Sequence, residues 1–152
     1  MATEQVTKQL QQTVTSEDYA AIREMWKAHS IAEDNRDLDG LISTLTEDSV
    51  YEIVGTTHRW EGHEGVRQFY LTLLGGVPDI KFELENIVIG PQGVFEEARV
   101  SGTHKEDMMG YKASGKAIKG TVGIFFPWVR KAGKFSGERI YLDLESFLNP
   151  RH

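Results

Sequence analysis

At 152 residues, 39% of them hydrophobic, the chain is long enough for one domain with a real core and too short for two ordinary ones. A formal charge of -6 without a basic run argues against a nucleic-acid partner, and the lack of any cysteine excludes a disulfide framework, a thiolate nucleophile and a Cys-based zinc site. The opening MATEQVTKQLQQTVTSED has neither the basic start nor the apolar core of a signal peptide, and no apolar run approaches a membrane span, so a cytoplasmic protein without a membrane partner is expected.

Residues 1–15 are polar, with apolar positions too sparse to reach a core, and are expected to be a flexible tail ahead of a single domain over 16–152. Ser16 can cap a helix in which Tyr19, Ile22, Trp26, His29 and Ala32 or Glu33 follow at three- and four-residue spacing. That stripe is unusual in holding Tyr19, Trp26 and His29 where Leu would serve. Asp37 caps a short second helix with Leu38, Leu41, Ile42 and Leu45 on its apolar side. A strand, SVYEIV, groups Tyr51 with Ile53 and runs into GTTHRWEGHEG. Val66, Phe69, Tyr70, Leu73 and Leu74 then mark a third helix, which Gly75 and Gly76 stop.

Beyond Pro78 the pattern is β to the end: IKFELENIVIG, GVFEEARVSGTH, KAIKGTVGIFFPWV and KFSGERIYLDLESFL, separated by Gly-rich or charged turns. Four such strands predict an antiparallel meander joined to the strand before the third helix. The order of elements is α+β, with a curved mixed or antiparallel sheet expected to wrap the N-terminal helices as a cone whose open end is a pocket. Gly102, Gly120 and Gly123 lie inside strand patterns, where isolated glycines often mark bulges or bends. In the last strand, alternation puts Ile140, Leu142 and Leu144 on one face and Arg139, Tyr141 and Asp143 on the other. The polar set is the candidate pocket lining, and the apolar set the candidate outer face.

Two apparent motifs fail on chemistry. Gly110, Gly115 and Lys116 fall at phosphate-loop spacing, but Ala117 stands where Ser or Thr must reach the metal, and a strand follows where a helix is needed. His58, His63 and Glu64 have no second histidine at helical spacing and read as a solvated loop, so no metal is expected. Trp26, His29, Tyr51, Trp60, Tyr70 and Trp128 are each ordinary core aromatics taken singly. As a set, every one carries a polar handle, which suits the wall of a small-molecule pocket.

The order RDLDGLISTLTEDSVYEI, WEGHEGVRQFY, SGTH, SGKAI and ERIYLDLESFL, spanning Asp18 to Leu148, resembles the SnoaL-like polyketide cyclase group of the nuclear transport factor 2-like superfamily. The resemblance implies a cone-shaped α+β barrel, commonly a homodimer, with a deep apolar pocket. It also implies a general base on the last strand, matched here by Asp143, and a histidine in or near the pocket, matched by His104. The expected function is therefore proton transfer on a hydrophobic, carbonyl-bearing small molecule, by cyclisation, isomerisation or dehydration. Asp143 is the expected base, raised in pKa by burial, and Tyr141 or His104 the donor to the developing enolate. Trp26, His29, Tyr51, Trp60, Tyr70, Trp128 and Arg139 are the expected binding residues, and no cofactor is required. Two plainer readings stand beside this one: Asp143 as the cap of a short ESFL helix, and the whole fold as a non-catalytic ligand-binding or association domain. Limonene epoxide hydrolase chemistry would need an Asp-Arg-Asp set, and Arg99 has Ser101 two residues on. A two-fold dimer through the sheet is expected to cover its apolar outer face.

Overall fold

Side-chain caps start four of the five helices in the computed structural model, which describes residues 1–151. Within the stretch expected as a tail, a short helix α1 (Glu4–Leu10) starts from Thr3 and buries no side chain. Helix α2 (Ser16–Asp34) begins after Thr15, one residue before the expected cap, and the Thr15 hydroxyl accepts from the Asp18 amide at 3.1 Å. Asp37 caps α3 (Leu38–Ser43) as predicted, accepting from the Gly40 amide at 2.9 Å. The strands β1 (Leu45–Ile53) and β2 (Arg59–Glu61) precede α4 (Gly62–Gly76). Then come β3 (Lys81–Gly90), β4 (Gly93–Thr103), β5 (Ala117–Val129), β6 (Lys134–Tyr141) and a last turn of helix, α5 (Leu144–Leu148).

The meander is present: β3, β4, β5 and β6 pair antiparallel in sequence order, and β6 lies parallel to β1, which pairs antiparallel with β2. The expected cone-shaped barrel is not. The six strands run in the open order β2-β1-β6-β5-β4-β3, with β2 and β3 as unjoined edges, and the sheet is neither closed nor strongly curled. Closing a sheet requires its two edge strands to pair along their length, and β2 offers only three residues. What stands is an α+β arrangement in which α2, α3 and α4 cover one face of a mixed sheet. Ile22, Leu41, Leu45, Val66, Phe69, Val94, Val122 and Phe135 are buried between the layers; each such side chain contributes about 1.5–3 kcal/mol.

Irregularities fall away from the three glycines expected to mark them. Register shifts occur between Leu45 and Val50, Leu84 and Asn86, and Phe125 and Trp128, while Gly102, Gly120 and Gly123 sit in unbroken β4–β5 pairing. Gly102 instead permits close approach, since a Cβ there would run into Val77. Gly137 has φ +126°, and a Cβ on it would meet the Val50 carbonyl; this position of β6 is open only to glycine.

The residue after Gly137 decides the face of β6. Glu138 and Ile140 point inward and are buried, while Arg139 and Tyr141 point outward. This reverses the expected assignment: Ile140, Leu142 and Leu144 line the interior.

Candidate active site

An apolar cavity of about 50 Å³ lies between the sheet and α4, walled by Ile53, Phe69, Val100, Ile124, Ile140 and Phe147 among others. Met108 and Met109 close one side. A site that takes a drug-sized ligand measures about 300 Å³ or more, so a larger guest must displace these unbranched, adaptable side chains. Two acids, Glu33 and Glu138, stand in this wall.

They belong to a hydrogen-bonded cluster drawn from four elements. Helix α2 supplies His29 and Glu33, one turn apart on its inner stripe; β1 supplies Tyr51, α4 Tyr70 and β6 Glu138. Thr44 gives its proton to the Leu41 carbonyl at 2.6 Å, so it accepts from His29 Nδ1 at 2.7 Å. That assigns the proton of His29 to Nδ1 and leaves Nε2 as a lone pair facing the Tyr51 hydroxyl at 3.5 Å. Burial pushes the imidazole pKa down to about 3, so the ring is neutral.

Tyr70 has one proton and two acid neighbours. Its hydroxyl donates to Glu33 Oε2 at 2.7 Å and stands 3.4 Å from both Glu138 Oε2 and the Tyr51 hydroxyl. Only the Tyr51 proton then remains for His29 Nε2 and Glu138, so the cluster balances with one further proton, and Glu138 is where it sits. Glu138 is 3% exposed, and burial, aided by the charge of Glu33, raises its pKa well above the usual carboxylate range. Burial also raises that of half-buried Glu33, but the Tyr70 hydrogen bond opposes it. Like charges this close push two pKa values apart. Glu33 is the carboxylate and Glu138 the neutral acid. Both phenols, buried beside them, are held well above their usual pKa and stay protonated.

The same atoms can hold a metal. The donor atoms of His29, Glu33 and Glu138 lie within 4.8 Å of one another, a nitrogen and oxygen set that suits a divalent cation; such an ion would have to displace the proton on Glu138. A second hollow of about 260 Å³ shares Glu33 and Phe82 with the cavity and adds Trp26, Asp34 and Glu96. There Glu96 accepts from the Trp26 indole at 3.2 Å, and burial and the Glu33 charge raise its pKa to about 7.

The family model of the SnoaL-like polyketide cyclases matches residues 10–149. This chain belongs to that family. The SnoaL-like fold recurs in solved structures of quite different assignment. A protein assigned as a SnoaL-like polyketide cyclase from Jannaschia sp. CCS1 is 19% identical, with a TM-score of 0.75 over 93% of this chain and 100% of that one. AclR from Streptomyces galilaeus, assigned as a hydroxylase, is 18% identical, with a TM-score of 0.67 over 83% of this chain and 91% of that one. An LEH-like epoxide hydrolase from M. tuberculosis is 19% identical, with a TM-score of 0.65 over 86% and 88%. Likeness at this identity is a likeness of fold alone. No curated protein matches the sequence.

Of the residues singled out from the sequence of this SnoaL-like chain, His29, Tyr51 and Tyr70 meet in the cluster, and Trp26 lines the adjoining hollow. The others lie elsewhere. Asp143 is exposed and caps α5, accepting from the Ser146 amide at 3.1 Å and its hydroxyl at 2.6 Å; these bonds lower its pKa. The burial on which a base at Asp143 depends is absent, although it borders an open groove that shares Met109, Leu142 and Leu144 with the cavity. Tyr141 and Arg139 are on the outer face, the latter paired with Glu52 at 3.3 Å. His104 is fully buried outside the cavity lining, with both ring nitrogens lacking a partner among the described residues. Trp60 packs on Phe69 and Trp128 on Phe135. His63 bonds the Leu45 carbonyl at 3.1 Å, and Arg99 pairs with Glu85 on the outer face.

Glu138, Glu96 and Glu33 carry the acid chemistry, and the first two were not singled out from the sequence. Their signal is an acid in the apolar phase of a strand. Glu96 alternates with Val94 and Ala98, and Glu138 precedes Ile140 and Leu142 at the same spacing.

Proposed function

We propose that this SnoaL-like chain is an enzyme that moves a proton on an apolar, carbonyl-bearing small molecule, with Glu33 as base and Glu138 as proton donor. The observation that carries the reading is the pair of acids on the wall of an apolar cavity, separated by one tyrosine hydroxyl and matched by no basic side chain. A carboxylate and a carboxylic acid held side by side can take a proton from carbon and give one to oxygen without moving. Glu33 removes the proton next to the carbonyl. Glu138, kept neutral by its surroundings, donates a hydrogen bond to the oxygen as enolate charge develops there. Isomerisation and dehydration both follow from this step: the proton on Glu138 passes to the γ-carbon of a dienolate or to a leaving hydroxyl, which departs as water, and the proton gained by Glu33 then returns to Glu138 through the Tyr70 hydroxyl that stands between them.

The test is exchange of a carbon-bound proton. Small apolar ketones incubated with the protein in D2O should gain deuterium, read by mass spectrometry, and Glu33→Gln should slow this by about 100-fold or more. Binding of the ketones without any exchange would make the chain a ligand-binding domain and overturn the reading. Assembly through the sheet is part of the same proposal, now with different residues. Val88, Phe95 and Phe125 stand side by side across β3, β4 and β5 on the outer face, the first two 65% and 43% exposed. A second copy related by a two-fold axis would cover this row.

A further inference from the structure

Three carboxyl groups reach the interior, those of Glu33, Glu96 and Glu138, and no ion pair among the described residues includes any of them. Glu33 feels the charge of Arg36, whose guanidinium is engaged with the Ile80 carbonyl at 2.7 Å. Glu138 is accounted for by its proton and Glu33 by Tyr70. Glu96 is not.

Glu96 is 9% exposed and opens onto the 260 Å³ hollow. Its Oε2 accepts from Trp26, whereas Oε1 receives no hydrogen bond from any described residue. The indole bond fixes an aromatic ring beside the carboxylate, and Phe82, Phe126 and Leu84 supply further apolar wall. Asp34, Glu33, neutral His29, Ser30 and Ala98 complete the lining, which contains no Lys or Arg. Buried carboxylates are stable when paired with a cation, and an aromatic face next to one adds attraction for an organic cation. The hollow is far larger than a bare metal ion, and its aromatic walls have no lone pairs to offer one.

We infer that this hollow recognises the ammonium group of an organic amine, with Glu96 and Trp26 as its specificity residues. The inference rests on the proposed reaction in one respect: because Glu33 and Phe82 line both spaces, an ammonium held at Glu96 places the apolar body of the same molecule beside Glu33 and Glu138. The substrate class is thus an apolar carbonyl compound bearing an amine.

Hexylamine, hexan-1-ol and hexanoate are matched probes differing only in the head group, and the full chain can be titrated with each at pH 8 by calorimetry. The amine, still cationic at that pH, should bind at least tenfold more tightly than the alcohol, and hexanoate more weakly than both. Glu96→Gln should bring amine and alcohol to equal affinity, and Trp26→Phe, which removes the indole N–H but keeps a ring, should weaken the amine alone. Glu138→Gln should leave the amine preference in place. Equal affinities in the unaltered protein, no amine binding at millimolar concentration, or an amine preference that survives Glu96→Gln would each overturn the inference. Loss of the preference in Glu96→Gln together with undiminished deuterium exchange in Glu33→Gln would retain the amine site and remove the proposed reaction.

Discussion

The Tyr70 hydroxyl and Glu33 Oε2 stand 2.7 Å apart, a link as short as that between His29 and Thr44 and the one that opposes the rise in the Glu33 pKa caused by burial. Tyr70 comes from α4 and Glu33 from α2, so the contact also ties the two helices together over the cavity.

Removing that donor should move a pKa in a stated direction. The Tyr70 bond lowers the Glu33 pKa against the larger effect of burial, so in Tyr70→Phe the pKa rises and less carboxylate is present at neutral pH. Deuterium exchange into a bound ketone should fall by at least about tenfold at pH 7 and recover toward pH 9. An unchanged pH profile would show that Tyr70 does not tune the base.

Stability against pH separates Glu96 from His29. Glu96 has its folded pKa raised from 4.5 to about 7, so the folded state binds more protons, and its contribution is full below pH 4.5 and lost as pH rises through 7. His29 has its folded pKa lowered from 6.5 to about 3, so its contribution is present above pH 6.5 and lost as pH falls toward 3. The two oppose each other between 4.5 and 6.5. Denaturant unfolding of the unaltered chain should therefore weaken from pH 6.5 to 8, a fall that Glu33 and Glu138 reinforce. The advantage of Glu96→Gln over it should grow between pH 4.5 and 7 toward about 3 kcal/mol. A constant difference across that range would mean that Glu96 titrates as an ordinary surface acid.

Asp143 offers the complementary control. It accepts two bonds from Ser146 at the start of α5, and Asn caps nearly as well as Asp. Asp143→Ala should lower the melting temperature by a few degrees and Asp143→Asn by much less, with exchange activity retained in both. Loss of exchange in Asp143→Asn with the fold intact would return the base to this residue.

The outer row of the sheet predicts the assembly. With Phe95 opposite Val88 and Phe125, Phe95→Glu would set a charge into the middle of a dimer interface. Sedimentation at micromolar concentration should show a dimer for the unaltered chain and a monomer for Phe95→Glu. A monomer in both cases would leave the face solvent-exposed.

Much of this organisation is legible in the residues. Spacing along α2 puts Trp26, His29 and Glu33 on one stripe, because a helix returns to the same face every three or four residues whatever packs against it. Asp37 announces α3 by its side-chain chemistry, and the β3–β6 meander follows from the succession of β-patterned segments divided by Gly-rich or charged connections. In β6 the two sets of residues are also correctly separated, since alternation is a local property of extended backbone.

Which set faces inward is not local. Arg139, Tyr141 and Asp143 lie outside because β6 pairs with β1 across Gly137, where only a glycine fits against the Val50 carbonyl, and that register turns Glu138 and Ile140 toward α2 and α4. Glu138 then acquires its character from groups 68 to 109 residues away in sequence, Tyr70, Tyr51, Glu33 and His29, by desolvation and charge that exist only after packing. Closure of the sheet was likewise beyond the pattern, because it depends on whether two distant edges meet, and the three residues of β2 do not carry a seam. Residue order marks the longer helices and strands and sorts alternating side chains into two sets; packing selects the set that is buried, and with it the acid that holds a proton at neutral pH.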